Sequence, residues 1–383
     1  MPETRTSPAS KKIKLVISDC HLSRGKWLPD GRRNPLEDFH QDLKLREMLE
    51  YYTSGAYAET EVELVVNGDF FDPLAIIPLP PTGRLRNLEF PIEIEEDSAV
   101  RQFQKIIEGH PVVFQAMRDF LKKGQKIILR WGNHDAAMLW PKVQDLLRET
   151  LTAPSPEQLE FQQKPYIFDR ICIDHGHQYE ALNRFDEENI FITRKTKHGL
   201  RRIQNLPFGS FFVLGFINRL KLERSYINQV YPFRIFLKVS FFTEPIFFFS
   251  NGFKVLWFFI KMRFITHPMR FARFRKTLDL IGEIFHRPSL EEAAEKLFTG
   301  SGSENLAFDT LILGHNHQAT FRVFPGGKQY INTGTWIPIT SLEMNTLGHR
   351  VLRTYALIEY FDGKPRTSLK VWQGQPHVSE DFA

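Results

Sequence analysis

The stretch Gly132-Asn133-His134-Asp135 follows the apolar run Lys126-Ile-Ile-Leu-Arg130 in this chain of 383 residues. Four other polar fragments also come directly after short β-branched or leucine-rich runs, which are typical of buried strands. In chain order they are Asp19-Cys-His21, Gly68-Asp69-Phe-Phe-Asp72, His175-Gly-His177 and Gly314-His315-Asn-His317. Polar groups placed in this way could converge at the carboxyl ends of the strands of one sheet. We therefore expect one site built from all five fragments.

The composition sets limits on the cellular location. There are only two cysteines, Cys20 and Cys172, so no disulfide framework is implied and a reducing compartment is expected. Residues 1–12 are polar, lack the apolar stretch of a secretory signal, and are predicted to form a loose tail. The expected location is cytoplasmic, with peripheral association at the inner face of a membrane for the reason given below.

The remaining pattern predicts an α/β protein with an interruption. Helical spacing occurs at 36–52, 98–123 and 136–149, and Gly124 is a plausible C′ glycine for the second of these. After the fifth fragment, strands are predicted at 320–324, 329–332, 352–361 and 367–372, completing a second sheet. The predicted organisation is a first part at 13–178, a mainly helical insertion rich in aromatic and basic residues at 179–298, a second part at 299–375 and a tail at 376–383.

The fragments carry the donor atoms of a two-metal site. If Asp19 and His21 lie on an extended segment, their side chains leave the same face and can hold one cation together. Asp69 can give one oxygen to each of two metals, and Asn133 offers an amide oxygen. His175, His315 and His317 supply imidazoles. Mixed nitrogen and oxygen ligands favour Mn²⁺, with Fe or Zn²⁺ as alternatives, over Mg²⁺ or Ca²⁺ alone. Two such ions would clamp phosphoryl oxygens and generate a hydroxide that attacks phosphorus.

His134 follows a predicted ligand and is the expected catalytic imidazole. It could protonate the leaving-group oxygen or neutralise charge in the transition state, with Asp72 orienting the ring. Simpler alternatives exist for each fragment, because Gly-Asp-x-x-Asp could be a strand-to-helix turn and Gly-Asn-His-Asp a tight turn. In the fourth fragment His175 is preferred to His177 as the ligand. The order and residue types of all five fragments together favour the metal site.

The five fragments resemble, in order, the five motif blocks of the calcineurin-like metallophosphoesterase superfamily. The resemblance covers residues 13–180 and 307–372, and it implies a four-layer α-β-β-α sandwich with a dinuclear site on its top edge. Asn332-Thr-Gly-Thr-Trp336 also resembles a segment that follows the last block in bacterial members. The ligands implied for one metal are Asp19, His21, Asp69 and His317. Those implied for the other are Asp69, Asn133, His175 and His315, with His134 and Asp72 as the catalytic pair.

The insertion is expected to decide the substrate. Residues 184–276 contain 18 Lys and Arg against 5 Asp and Glu, whereas the whole chain carries a net charge of only +5. Phenylalanines cluster in pairs and triplets there, as at Phe247-Phe248-Phe249. The apolar runs 206–217 and 245–260 are shorter than the roughly twenty residues that a membrane span needs. Helices lying on a membrane surface through 200–276 are therefore predicted, although phenylalanines that only form the insertion's own core would give the same pattern.

A looser resemblance to bacterial UDP-2,3-diacylglucosamine pyrophosphatases implies a phosphorylated lipid or lipid-linked nucleotide as substrate. Arg24, His177 and Arg194 are the predicted substrate contacts. One rival prediction is a soluble nucleotide phosphodiesterase or nuclease, although paired phenylalanines suit burial better than base stacking and nucleic acid is not the expected partner. The other rival is a binding module without catalytic activity, which the complete ligand set disfavours.

Overall fold

The computed structural model describes residues 11–77, 94–196, 199–261, 289–300, 305–343 and 347–374. Most of the predicted N-terminal tail, the predicted tail at 376–383 and residues 262–288 of the predicted insertion lie outside the described residues. The class is mixed α/β, as the sequence predicts.

The strands of the described residues form two large sheets and two small ones. In chain order they are β1 (Lys12–Ile17), β2 (Glu61–Asn67), β3 (Lys126–Arg130), β4 (Leu159–Gln162), β5 (Tyr166–Phe168), β6 (Ile171–Ile173), β7 (Phe191–Thr196), β8 (Gly199–Gln204), β9 (Val230–Tyr231), β10 (Thr310–Leu313), β11 (Thr320–Val323), β12 (Gln329–Asn332), β13 (Ile339–Ser341), β14 (Gly348–Arg350), β15 (Thr354–Phe361) and β16 (Lys364–Val371). The large sheets have the orders β16-β15-β1-β2-β3-β4 and β11-β12-β10-β6-β5.

Buried side chains of the two large sheets pack against one another. In the first sheet β1, β2, β3 and β4 are parallel, and Val16 lies opposite Val65, which lies opposite Ile128. These side chains share one buried cluster with Ile173 and Ile312 of the second sheet. Both faces of the central strands are buried, which explains why apolar residues occur on both faces rather than alternating with exposed polar ones. The charged Lys14 and Glu63 within these strands form a buried ion pair.

Some of the helices in the described residues pack on the two large sheets. The helices are α1 (Asp42–Tyr51), α2 (Glu96–Gly109), α3 (Pro111–Lys122), α4 (Pro141–Leu151), α5 (Phe208–Phe212), α6 (Asn218–Glu223), α7 (Phe233–Thr243), α8 (Pro245–Ile260) and α9 (Leu290–Thr299). The first four pack on the face of the first sheet that carries Leu15 and Leu64. The last, α9, packs on the second sheet against Leu311 and Leu313.

Three predicted helices differ in their bounds from the observed ones. The helix predicted at 98–123 is two helices, because Pro111 cannot continue the hydrogen bonding of α2 and instead begins α3. Its predicted end is confirmed, since α3 stops at Lys122 and Gly124 has a φ of +83°. The helix predicted at 36–52 starts only at Asp42. The one predicted at 136–149 begins as a 3₁₀ turn, and α4 starts at Pro141.

The insertion contains strands that the sequence did not predict. β7 and β8 form a hairpin, and β9 joins a small sheet with β13 and β14 of the last part of the chain. Polar contacts attach α5 and α6 to the first part of the chain. Ser210 Oγ donates to Asn133 O at 3.3 Å, Asn218 Nδ2 to Leu74 O at 2.8 Å, and Lys221 Nζ to Asp38 at 2.6 Å.

Helices α7 and α8 differ from α5 and α6 because they leave large apolar side chains exposed. Phe242 is 79% exposed, Ile246 86% and Phe253 69%. The end of α8 packs through Phe258 against Phe208 and Phe212, and near its beginning the Arg224 guanidinium lies over the Phe247 ring. Among the described residues, no helix has both the length and the apolar character needed to cross a membrane.

Candidate metal centre

The predicted ligands lie where parallel strands of both large sheets end. Asp19, Asp69 and Asn133 follow β1, β2 and β3 of the first sheet, whereas His175 and His315 follow β6 and β10 of the second. The expectation that one sheet carries all five fragments is therefore wrong. Two facing sheets place their carboxyl ends at the same edge of the molecule and bring the fragments together across the space between them.

The backbone at the site is unusual. Five predicted ligands have positive φ values, namely Asp19, His21, Asp69, His315 and His317. The assumption of an extended segment at 19–21 is thus wrong, and a left-handed bend orients these two side chains instead. Non-glycine residues in this region cost of order 1–3 kcal/mol each, and such strain concentrates at functional sites. Backbone hydrogen bonds from Asp19 N to Gly68 O (3.1 Å) and from His21 N to Asp69 O (2.9 Å) hold the bend.

Asp19, His21 and His317 form one group of donor atoms. The Nε2 atoms of His21 and His317 are 3.0 Å apart, and His317 Nε2 is 3.4 Å from Asp19 Oδ1. The donor atoms of the three residues lie within 4.8 Å of one another. Asp19 also accepts hydrogen bonds from Ser18 Oγ and from the backbone of His315. This carboxylate is therefore fixed in place by neighbours from both sheets.

Asp69, His175 and His315 form a second group, with donor atoms again within 4.8 Å of one another. His175 Nδ1 donates to Asn67 O at 2.8 Å, and its Nε2 lies 3.2 Å from Asp69 Oδ2. Burial opposes protonation of this ring, but Asp69 and Asp19 raise the pKa of His175 to about 10. Metal binding at His175 Nε2 would therefore release a proton.

Three buried atoms of the residues predicted to hold the second metal have no hydrogen-bond partner within the described part of the chain. They are Asn133 Oδ1, His175 Nε2 and His315 Nδ1. Buried polar atoms in native proteins are nearly always satisfied. Two of these residues, His175 and His315, are grouped with Asp69, and nitrogen and oxygen atoms of this kind fit the ligand set of a bound cation.

Asp69 lies between the two groups, and Gly132 leaves the space that its side chain occupies. It takes part in the second group and also in a third with His21 and His134. A Cβ at Gly132 would come 2.2 Å from Asp69 Oδ1 and 2.7 Å from His175 Nε2. Any larger residue at Gly132 would occupy the space that these donor atoms need. The glycine of the third fragment is thus explained by close approach to the site.

His134 and Asp72 are paired beside the second fragment. His134 Nδ1 is 3.0 Å from Asp72 Oδ1, and Asp72 Oδ2 is 3.6 Å from His21 Nδ1. Burial opposes charge on His134, but Asp72 and Asp69 raise its pKa to about 9. The His134 side chain is 18% exposed and that of His317 is 26% exposed, whereas Asp69 and His175 are at most 2% exposed. The site therefore opens to solvent beside His134 and His317.

The predicted substrate contacts are dispersed. His177 is buried, with its ring against Trp131 and Phe185 and 5.4 Å from the ring of His175. Both of its nitrogens lack a hydrogen-bond partner among the described residues. Arg24 packs by its backbone against Gly109 at the end of α2, and Arg194 lies in β7 opposite Arg201. Their roles in substrate binding remain predictions.

Sequence reasoning missed several residues that support the ligands. Asp135 accepts from the backbone of Gly132 at 2.6 Å and of Phe70 at 3.0 Å, joining the second and third fragments. Burial and Asp69 raise the pKa of Asp135 to about 7. Glu180 lies 2.8 Å from His315 Nε2. Asp135 stands inside a quoted fragment, and its acidic side chain in a buried turn was an available signal. Glu180 had no such signal, because it meets His315 only in the folded chain.

Comparisons with known proteins add little to this geometry. No protein-family model and no curated protein sequence matches the chain. Similar solved structures include a predicted phosphoesterase from Streptococcus pneumoniae, with 10% identity, 96% of this chain and 92% of that chain covered, and a TM-score of 0.27. Vps29 from Entamoeba histolytica, complexed with Zn²⁺, has 9% identity, coverages of 94% and 99%, and a TM-score of 0.26. A dimetal phosphatase from Danio rerio has 12% identity, coverages of 94% and 96%, and a TM-score of 0.35. Likenesses this low carry no argument about function.

Proposed function

We propose that this protein is a dinuclear metal-dependent phosphohydrolase. The observation that carries the proposal is the set of three unpartnered buried atoms, Asn133 Oδ1, His175 Nε2 and His315 Nδ1, two of which belong to residues grouped with Asp69. Leaving such atoms unsatisfied costs about 1–3 kcal/mol each, and a cation bound among them would remove that cost. The resemblance of the five fragments to metallophosphoesterase motifs supports the same reading, including a four-layer α-β-β-α sandwich.

The residues divide between two ions that share Asp69. Asp19, His21 and His317 would complete one set, and Asn133, His175 and His315 the other. Mixed imidazole, carboxylate and amide donors suit Mn²⁺, Fe or Zn²⁺. When bound, a pair of such ions polarises phosphoryl oxygens and activates water for attack on phosphorus.

The chain's own side chains supply the proton transfer and the orientation. Asp72 accepts the Nδ1 proton of His134, so Nε2 of this ring is left to face the substrate at the open side of the site. A protonated His134 can donate to the leaving-group oxygen or to a non-bridging phosphoryl oxygen. The shared Asp72 also orients His21, which links the catalytic imidazole to the first metal set.

The preferred substrate class is a phosphorylated lipid or lipid-linked nucleotide of the UDP-2,3-diacylglucosamine type. Support comes from α7 and α8, which leave the large apolar side chains of Phe242, Ile246 and Phe253 mostly exposed. Lys238 and Lys254 lie on the same two helices, and the surrounding segment is strongly basic. A surface of this kind suits the boundary between acyl chains and anionic headgroups.

The membrane part of the proposal is tested by sedimentation with phosphatidylethanolamine–phosphatidylglycerol vesicles. The triple variant Ile246→Ser, Phe249→Ser, Phe253→Ser should lose vesicle binding while hydrolysing a small aryl phosphate at the wild-type rate. Leu43→Ser, which changes a similarly exposed apolar residue on α1, is the matched control and should bind like wild type. Wild-type vesicle binding by the triple variant would remove the membrane proposal and leave a soluble phosphohydrolase.

The substrate part is tested with a panel of amphiphilic and soluble phosphoesters in the presence of Mn²⁺. Preference for the amphiphiles would support the lipid substrate. Metal-dependent turnover of soluble nucleotides alone would keep the metal centre and contradict the lipid assignment.

A further inference from the structure

We propose that Glu180, together with Asn183, positions the ligand His315 and connects the metal centre to the first helix of the insertion. The proposal rests on the dinuclear site described above and adds to it a supporting residue from outside the five fragments. Glu180 lies at the beginning of the predicted insertion (179–298), five residues after His175.

The geometry fixes which nitrogen of His315 is available to a metal. Its Nε2 lies 2.8 Å from Glu180 Oε2, and the two side chains are only 4% and 3% exposed. A carboxylate at this distance accepts a proton from Nε2 and so leaves the lone pair on Nδ1. That Nδ1 atom is buried and without a hydrogen-bond partner among the described residues. Glu180 thus holds Nε2 of His315 and leaves Nδ1 of the same ring for the second metal set.

Asn183 completes the support of the carboxylate. Its Nδ2 donates to Glu180 Oε2 at 2.8 Å and lies 3.4 Å from His315 Nε2. Backbone hydrogen bonds from Asn183 N and Arg184 N to Glu180 O, at 3.1 and 2.8 Å, place these residues on one tight turn. A buried carboxylate is stable only with such partners. The turn therefore presents Glu180 to His315 in a fixed position.

Helix α5 packs directly on this turn. A Cβ at Gly209 would lie 2.0 Å from Asn183 Oδ1, and Gly209 N donates to Leu182 O at 2.7 Å. The next residue, Ser210, donates to the backbone carbonyl of the predicted ligand Asn133. Two adjacent residues of α5 thus support two ligands of the same metal set. The beginning of the predicted insertion is therefore part of the structure that holds the second ion.

The test is calorimetric titration of the metal-free full-length protein with MnCl₂, together with Mn²⁺ electron paramagnetic resonance. Glu180→Ala should weaken binding of one of the two ions by about 10–100-fold, as is typical when the partner of a ligand histidine is lost. The other ion should bind within a few-fold of wild type. At intermediate Mn²⁺ concentrations the variant should then show the signal of isolated Mn²⁺ rather than that of a coupled pair.

Two further variants separate positioning from folding. Glu180→Gln keeps the size and an acceptor oxygen, so it should recover part of the lost affinity. Gly209→Ala should weaken the same ion by displacing Asn183, whereas Gly252→Ala, a helical glycine with no atom within 4 Å of the added Cβ, should not. Metal-free unfolding temperatures close to wild type are expected for Glu180→Gln and Gly252→Ala, whereas the clash in Gly209→Ala should lower this temperature as well as the affinity for the one ion.

Wild-type affinity for both ions in Glu180→Ala would overturn the proposal. Equal loss of both ions in Glu180→Ala and Glu180→Gln, with a lowered metal-free unfolding temperature, would also overturn it by showing a purely structural role. A wild-type protein that binds two ions but hydrolyses no phosphoester would contradict the proposed function, and the titrations would still decide the role of Glu180. A wild-type protein that binds no Mn²⁺ would contradict both.

Discussion

Raising the pH should destabilise the fold through one buried histidine, His110. This residue joins α2 to α3, and its ring is 1% exposed. Its Nδ1 is 2.7 Å from Asp42 Oδ1 and its Nε2 is 3.2 Å from Glu37 Oε2, so protonation lets both nitrogens donate to carboxylates. Glu37 also accepts from Ser23 Oγ at 2.8 Å. Since Ser23 comes two residues after His21, the His110–Glu37 pair supports the loop that leads away from the metal centre.

The size of the effect follows from the pKa. Burial lowers the pKa of His110, but the hydrogen bonds to Asp42 and Glu37 outweigh burial and raise it to about 9. The unfolded chain has a histidine pKa of about 6.5, and each pKa unit corresponds to about 1.4 kcal/mol. The protonated ring therefore contributes roughly 3 kcal/mol of stability. Because the folded pKa is the higher one, this contribution is fully present below about pH 6.5 and is lost as the pH rises through about 9.

The assay is urea unfolding of wild type and His110→Gln at several pH values between about 6 and 9.5. Comparing the two proteins removes the contributions of all other titrating groups. The stability advantage of wild type over the variant should shrink by roughly 3 kcal/mol across this range. An advantage that stays constant with pH would refute the reasoning, because it would show that this ring has the same pKa in the folded and the unfolded chain.

Three further predictions concern the metal centre. Gly132→Ala should abolish binding of at least one Mn²⁺ in calorimetry, since the new methyl group would clash with Asp69 and His175, whereas Gly252→Ala should bind normally; normal binding by Gly132→Ala would contradict the close approach. His134→Gln should lower kcat by about 10²–10⁴-fold with unchanged metal content, as expected for loss of an acid–base group. Equal activity of this variant in steady-state assays would exclude His134 from catalysis. Adding Mn²⁺ at about a hundred times its dissociation constant should stabilise the metal-free protein by about 2.7 kcal/mol per ion in denaturant unfolding. No stabilisation would argue against binding to the folded state.

Local sequence patterns were sufficient to predict the central strands. Runs such as Val62–Val66 and Lys126–Arg130 are rich in Val, Ile and Leu because both faces of these strands are buried, and short polar fragments follow them. The residues that the structure groups around Asp69 are all ones that the sequence singled out. Their convergence was predictable because parallel strands end at a common edge.

Long-range contacts explain what the sequence did not predict. Whether β6 and β10 join the first sheet or form a second depends on pairings between distant segments, which residue type does not determine. The left-handed backbone at Asp19 and His21 is held by hydrogen bonds that their N–H groups donate to the loop after β2. Because these partners are distant in sequence, the local sequence predicts an extended segment instead. Glu180 reaches His315 across 135 residues of chain. The β7–β8 hairpin was missed because the charge and aromatic content of the insertion obscured its short alternating pattern.

The most direct test of the dinuclear phosphohydrolase counts metal and turnover in the same sample. Elemental analysis of Mn²⁺-reconstituted wild type and Asp69→Ala would be paired with phosphate release from the phosphoester panel. We expect two ions per chain and metal-dependent hydrolysis in wild type, with both lost in Asp69→Ala because Asp69 lies between the two sets of ligands. Hydrolysis by wild type that does not depend on metal, or persists undiminished in Asp69→Ala, would contradict the account.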